Sequence, residues 1–158
     1  MSKPGGWGRR SAPGGCLLLS PARCCGRGRP RNRSPSGPVL RWQPTSALVD
    51  RDYGPWTGVS RAAVAAQWGS VDRAPGVEPR SAVAGRAVQG LTDIAGRCLG
   101  GIVVVVSHDA VNRQVLVAFD AGLGDPDKIP QDNGCFNTLQ WQGGRWAVLS
   151  VNELPGDP

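Results

Sequence analysis

Histidine is almost absent from this chain: His108 is the single one in 158 residues. Five cysteines, at positions 16, 24, 25, 98 and 135, show no C-x-x-C spacing. With one His and no paired cysteine spacing, a Cys/His zinc site is not expected, nor is any other metal or cofactor. An odd, unpatterned cysteine set also gives no disulfide framework, so a reducing, cytoplasmic setting is the default expectation. Long apolar runs are missing too. None exceeds five residues, as at Ile102 to Val106, far short of the roughly 20 residues needed to cross a bilayer, and no membrane role is expected. Cys16 to Leu19 is too brief for the core of a signal peptide, and Gly and Pro interrupt any amphipathic transit helix near the amino end. Aromatic residues are scarce, but six of the nine are Trp.

Glycine and proline are abundant, 23 and 14 residues, and charge is unevenly placed. Residues 1–50 carry nine Lys/Arg against one acid, Asp50, for a charge of +8; residues 51–158 carry nine against eleven, for −2. The high overall pI thus describes the first third alone. Residues 1–45 are Gly/Pro/Arg-rich with no apolar period, apart from one short candidate strand at residues 16–19. Such a segment buries too little to offset chain entropy, and it is expected to be disordered. A basic arm of this kind could touch nucleic acid. No aromatic residue lies between Trp7 and Trp42, however, so stacking platforms are lacking, and nucleic acid is not the expected partner. The same composition arises from out-of-frame reading of GC-rich DNA. The folded domain is expected over residues 46–158.

Five β-branched residues, Ile102 to Val106, predict a strand buried on both faces. It ends at Ser107-His108. Asp109 to Ala121 then reads as a helix, with Val111, Val115, Ala118 and Phe119 on one face. A strand that ends in a polar side chain and feeds a helix is how an open α/β sheet commonly builds a site, and the helix start offers N–H groups to an anion. A lone histidine at a strand end is also commonly an ordinary hydrogen-bonded edge residue, so spacing alone does not assign it. Upstream, Ser60 is placed to cap a short helix through Trp68. Val83, Ala87, Leu91, Ile94 and Cys98 define one face of a helix over residues 80–99. Gly85, Gly90 and Gly96 lie inside it, each expected to cost about 1 kcal/mol relative to Ala. Two strands, Cys135 to Trp141 and Arg145 to Val151, are joined through Gln142-Gly143-Gly144 as a hairpin.

Several segments occur in one order that resembles the histidine phosphatase superfamily, the phosphoglycerate-mutase-like proteins. Val104-Val105-Val106-Ser107-His108 followed by a helix is similar to the family's second-histidine motif. Leu48-Val49-Asp50-Arg51-Asp52-Tyr53-Gly54-Pro55-Trp56-Thr57-Gly58 resembles its L-x-E-x-x-x-G-x-W-x-G loop. Pro75-Gly76-Val77-Glu78 with Arg86 fits its P-G-G-E…R pattern. Residues 132–139 and the hairpin ending in Asn152 resemble its carboxyl-terminal strands.

This resemblance implies a three-layer α/β/α fold with a mostly parallel central sheet, and a phosphomonoesterase or phosphomutase acting on phosphorylated small molecules. In that chemistry a neutral imidazole in an Arg-His-Gly motif takes up the phosphoryl group. Two arginines and a second histidine hold its oxygens, and a carboxylic acid protonates the leaving oxygen. By resemblance His108 is the second histidine and Asp50 stands at the acid position, where the family usually has Glu. Leu17 to Arg23 resembles the family's next segment, which makes Ser20 and Arg23 candidate phosphate-binding residues. Two departures stand out. Asp109 replaces a common Gly, and no Arg-His-Gly occurs in the sequence. The domain is therefore expected to be N-terminally incomplete, its activity impaired, and the edge of the valine strand uncovered. The alternative expectation is a non-catalytic module that binds phosphorylated ligands or, through the basic arm, nucleic acid. Oligomeric state and substrate identity are not legible.

Overall fold

The computed structural model describes residues 15–19 and 41–156. Ser20 and Arg23 lie outside them, as does most of the segment expected to be disordered. Within that segment, Gly15–Leu19 forms strand β1 and Arg41–Thr45 forms β2.

The helices follow their apolar spacing. Ser60 caps α1 (Arg61–Trp68) by accepting a hydrogen bond from the Ala63 N–H at 3.2 Å. Helix α2 (Arg80–Arg97) buries Val83, Ala87, Leu91 and Ile94, four positions that share one face at the helical period. Strand β3 (Val103–Val106) leads into α3 (Asp109–Phe119), which buries Val111, Val115 and Leu116. These two helices meet across a core that also takes in Leu48, 1 % exposed, from a turn of 3-10 helix at Ser46–Leu48. Strands β4 (Phe136–Gln142) and β5 (Arg145–Glu153) form a separate antiparallel hairpin. Its loop residues Gly143 and Gly144 both have positive φ, 59° and 78°, which is what a tight two-residue hairpin turn demands. The hairpin leans Leu139 and Trp146 on the core, and Trp146 stacks on Phe119 of α3 with centroids 4.7 Å apart.

The chain therefore mixes helices and strands as an α/β protein does, but the sheet differs from expectation. Its order is β2-β1-β3, and both pairings are antiparallel. A parallel partner requires a crossover that returns to the same sheet. After α3 the chain goes instead to the β4–β5 hairpin, so among the described residues β3 gains no parallel neighbour. The strand is also not buried on both faces. Val103 and Val105 pack against the core, while Val104 and Val106 are 41 % and 49 % exposed. Helices α2 and α3 contact the face that carries Val103 and Val105, and the pleat turns alternate residues away. No helix among the described residues is long and apolar enough to cross a membrane.

The three glycines of α2 are not equivalent. A Cβ at Gly85 or Gly96 would meet nothing, whereas one at Gly90 would overlap the Ala47 methyl group. Gly90 is where the 46–48 turn lies against the helix. Gly85→Ala and Gly96→Ala should each stabilise the protein by up to about 1 kcal/mol through helix propensity. Gly90→Ala should destabilise it by about 1–3 kcal/mol through overpacking. Urea denaturation of the three variants tests this, and a stabilising Gly90→Ala would contradict the close packing of the turn.

Candidate active site

The segment 47–52 carries no regular hydrogen-bonded structure beyond its first turn, so its carbonyls need partners from elsewhere. Arg86 of α2 supplies them. Its Nη1 donates to the carbonyls of Ala47 and Val49, both at 2.9 Å, and its Nη2 to that of Asp50 at 3.0 Å. The same guanidinium meets Glu78 through two bonds, Nε to Oε1 at 2.8 Å and Nη2 to Oε2 at 3.0 Å. Glu78 Oε2 also accepts from the Asp52 N–H at 3.1 Å. The Arg86 bonds hold the Glu78 carboxyl below its ordinary range; burial opposes this but does not win. From the other side, Ser107 Oγ donates to the Leu48 carbonyl at 2.9 Å. Segment 47–52 is thus held between α2 and the end of β3.

That clamp brings two of the expected site residues together. Asp50 Oδ2 lies 3.8 Å from His108 Nδ1, with the two side chains 48 % and 44 % exposed. Asp50 Oδ1 accepts from the Arg51 N–H at 2.7 Å, which orients the carboxylate. His108 stands at the N-cap position of α3 in extended conformation, and its carbonyl accepts from the Val111 and Asn112 N–H groups at 3.1 and 2.9 Å. Its imidazole therefore sits beside the positive end of the helix dipole. Ser20 and Arg23, the expected phosphate ligands, fall outside the described residues.

Arg51 was not singled out from the sequence, yet it is the one buried charged residue among those described, 7 % exposed. Its Nε donates to the Glu78 carbonyl at 2.7 Å, its Nη1 pairs with Asp72 Oδ1 at 2.7 Å, and its guanidinium lies 5.7 Å from the Tyr53 ring centre. Asp72 also meets Arg80 at 2.8 Å, and Arg80 reaches Asp127 at 2.7 Å. Burial pushes the Asp72 carboxyl up, but the hydrogen bonds from Arg80 and Arg51 outweigh it and hold the group below its ordinary value. The Tyr53 hydroxyl is raised, by burial first and then by the negative charge of Asp50. Only an alternation of Asp and Arg at positions 50–52 hinted at this network, and the distant partners Asp72 and Asp127 left no local signal. Trp56 is anchored by its indole N–H on the Pro75 carbonyl at 2.9 Å and by an edge-on contact with Trp68. A cavity of about 280 Å³ is lined by Arg51, Tyr53, Arg61, Arg80, Asp109 and Arg113 among others; the residues following Asp50 and His108 in the chain border it, but neither Asp50 nor His108 does. No three His, Cys, Asp or Glu side chains among the described residues are grouped to hold a metal.

A strand ending in histidine at a helix start, an acid loop tied to it and a Glu–Arg clamp behind that loop recur together in one protein class. The family model of the histidine phosphatase superfamily (branch 1) matches residues 33–154. The chain belongs to the histidine phosphatase superfamily. A search of curated proteins finds no significant match.

The clamp predicts acid sensitivity. The Glu78 carboxyl sits below its ordinary value of 4.5 when folded, so its contribution is complete above that pH and is lost as pH falls through the lower folded value. Glu78→Gln should lower stability at pH 7 by about 1–3 kcal/mol. The gap between the variant and the parent should close on acidification below pH 4.5. Thermal melts across pH 3–7 would show it, and a gap that persists unchanged to pH 3 would refute the assignment.

Proposed function

We propose that this chain is a phosphate-binding member of the histidine phosphatase superfamily, a phosphomonoesterase or phosphomutase by descent whose turnover is impaired. The observation that carries this reading is the approach of Asp50 to His108 at the start of α3. His108 is the second histidine of the site and donates to a phosphoryl oxygen, alongside the N–H groups of the α3 first turn. Asp50 is the acid positioned for the leaving oxygen of a phosphorylated small molecule. Ser20 and Arg23 complete the phosphate ligands. No second histidine is present in these 158 residues, so a phosphoryl group held here meets no imidazole free to accept it. No metal or cofactor enters this reading.

The finer architecture we infer is the three-layer α/β/α arrangement of the family. The odd number of cysteines and their lack of C-x-x-C spacing suit a reducing, cytoplasmic compartment.

Two measurements on the full chain test the proposal. Hydrolysis of p-nitrophenyl phosphate should run no faster than with the His108→Ala variant. Inorganic phosphate should nevertheless bind the parent, followed through Trp fluorescence, and about tenfold more weakly to His108→Ala. Robust turnover abolished by that substitution would overturn the impairment and make His108 the phosphoryl acceptor. Phosphate binding indifferent to His108 would overturn the pocket.

A further inference from the structure

The cavity at the first turn of α3, bordered by Asp109 and Ala110, is lined by arginines whose commitments differ. Arg51 is spent on Asp72 and the Glu78 carbonyl, and Arg80 on Asp72 and Asp127. Arg113 is only half used. Its Nη1 donates to the Asp127 carbonyl at 3.0 Å and reaches that of Pro126 at 3.4 Å. Its Nε is buried and has no hydrogen-bond partner, alone in this among the described buried side-chain nitrogens and oxygens. The acceptor facing it is Asp109 Oδ2, at 3.8 Å, beyond the reach of an N–H···O bond. The other oxygen of Asp109, Oδ1, takes the Ala110 N–H at 2.7 Å. That N–H is one of the unpaired amides at the start of α3.

The Asp109 carboxylate thus stands across the first turn of the helix, where it occupies one donor and falls short of the second. It lines the 280 Å³ cavity and also a neighbouring one of about 270 Å³ that reaches Trp56. With its side chain 54 % exposed, it can swing toward solvent without breaking packing. A buried guanidinium N–H left unpaired is unfavourable. An anion bridging Ala110 N–H and Arg113 Nε would satisfy both donors where Asp109 satisfies one.

We propose that Asp109 is a displaceable internal anion that holds the place of a phosphate group between Ala110 N–H and Arg113 Nε, and that it thereby sets the cavity's affinity for phosphorylated ligands. The inference deepens the phosphate-pocket reading and rests on it. Asp109 acts by charge: an incoming phosphate must either push the carboxylate aside or sit next to it, and like charges at this distance repel. Arg113 supplies the attraction, and its Nε gains the bond it lacks. Asp109 is then a selectivity device rather than a group that transfers protons.

The test is equilibrium binding of inorganic phosphate to the full chain by titration calorimetry at fixed ionic strength. Asp109→Asn keeps an oxygen able to accept the Ala110 N–H and removes the charge; Asp109→Ala removes both. Each should bind phosphate about tenfold more tightly than the parent, and Arg113→Gln added to Asp109→Asn should abolish the gain. Far-UV circular dichroism of each variant controls for loss of α3, and Asp109→Asn serves if Asp109→Ala does not fold. Unchanged or weaker binding in Asp109→Asn, or a gain that survives Arg113→Gln, would overturn the inference. If phosphate binding depends on His108 but ignores Asp109, the pocket stands and only the role of Asp109 falls. If no variant binds phosphate, both fall.

Discussion

Arg86 is the point on which the site depends. Three carbonyls of an irregular segment, those of Ala47, Val49 and Asp50, converge on its two terminal nitrogens. Irregular backbone brought against a core must find donors for its carbonyls, and most loops avoid the problem by staying in water. Here a single guanidinium supplies the donors, and Glu78 neutralises its charge through two parallel bonds. With the carbonyls satisfied, Leu48 can sit 1 % exposed in the core. Asp50, two residues on, then has no freedom to be anywhere but at the start of α3. The distance between Asp50 and His108 is therefore set from behind, by Arg86, which bonds the Asp50 backbone and not its carboxylate.

The same economy explains the buried Arg51. A charge at 7 % exposure needs a partner and satisfied protons. Asp72 supplies the first and the Glu78 carbonyl helps with the second. Glu78 thus serves both arginines at once, its side chain on Arg86 and its backbone on Arg51. The sites of attachment lie on either side of Asp50. Loop 48–58 is fixed by ionic contacts and by the Trp56 indole bond to Pro75, with little apolar burial after Leu48, so its order depends on charge more than on hydrophobic packing.

How far this was readable from sequence divides along physical lines. Periodic features were legible. The spacing of Val83, Ala87, Leu91 and Ile94 gave α2, and Gly143-Gly144 between two alternating runs gave the hairpin. Ser60 marked the start of α1 within a residue. Features decided by distant partners were not. A run of valines reads the same whether one face or both are covered, so the exposure of Val104 and Val106 was hidden. Strand direction depends on where the chain goes after α3, which no local pattern records. Gly90 looked like a weakness in a helix and is a contact point, because its neighbour Ala47 is far away in sequence. The acid and histidine positions came from the resemblance of short motifs. The Asp72–Arg80–Asp127 chain matched none of those motifs, and its geometry appears only in the fold.

A site can keep the means to bind a group after losing the means to transfer it, because the two rest on different parts. Binding of a phosphate needs donors, and in the proposed reading these belong to His108, to the first turn of α3 and to Arg113. Removing a nucleophile disturbs none of them. Transfer needs in addition an imidazole in line with the leaving oxygen, a requirement on one side chain. In the proposed reading the selection that shaped the Glu78–Arg86 clamp acted on the geometry of binding. The clamp contributes to stability through Leu48 as well, so it persists for reasons of folding even where turnover is lost. A carboxylate at Asp109, next to the place where phosphate would sit, is tolerable in such a protein. In a fast phosphatase it would repel the substrate at every encounter.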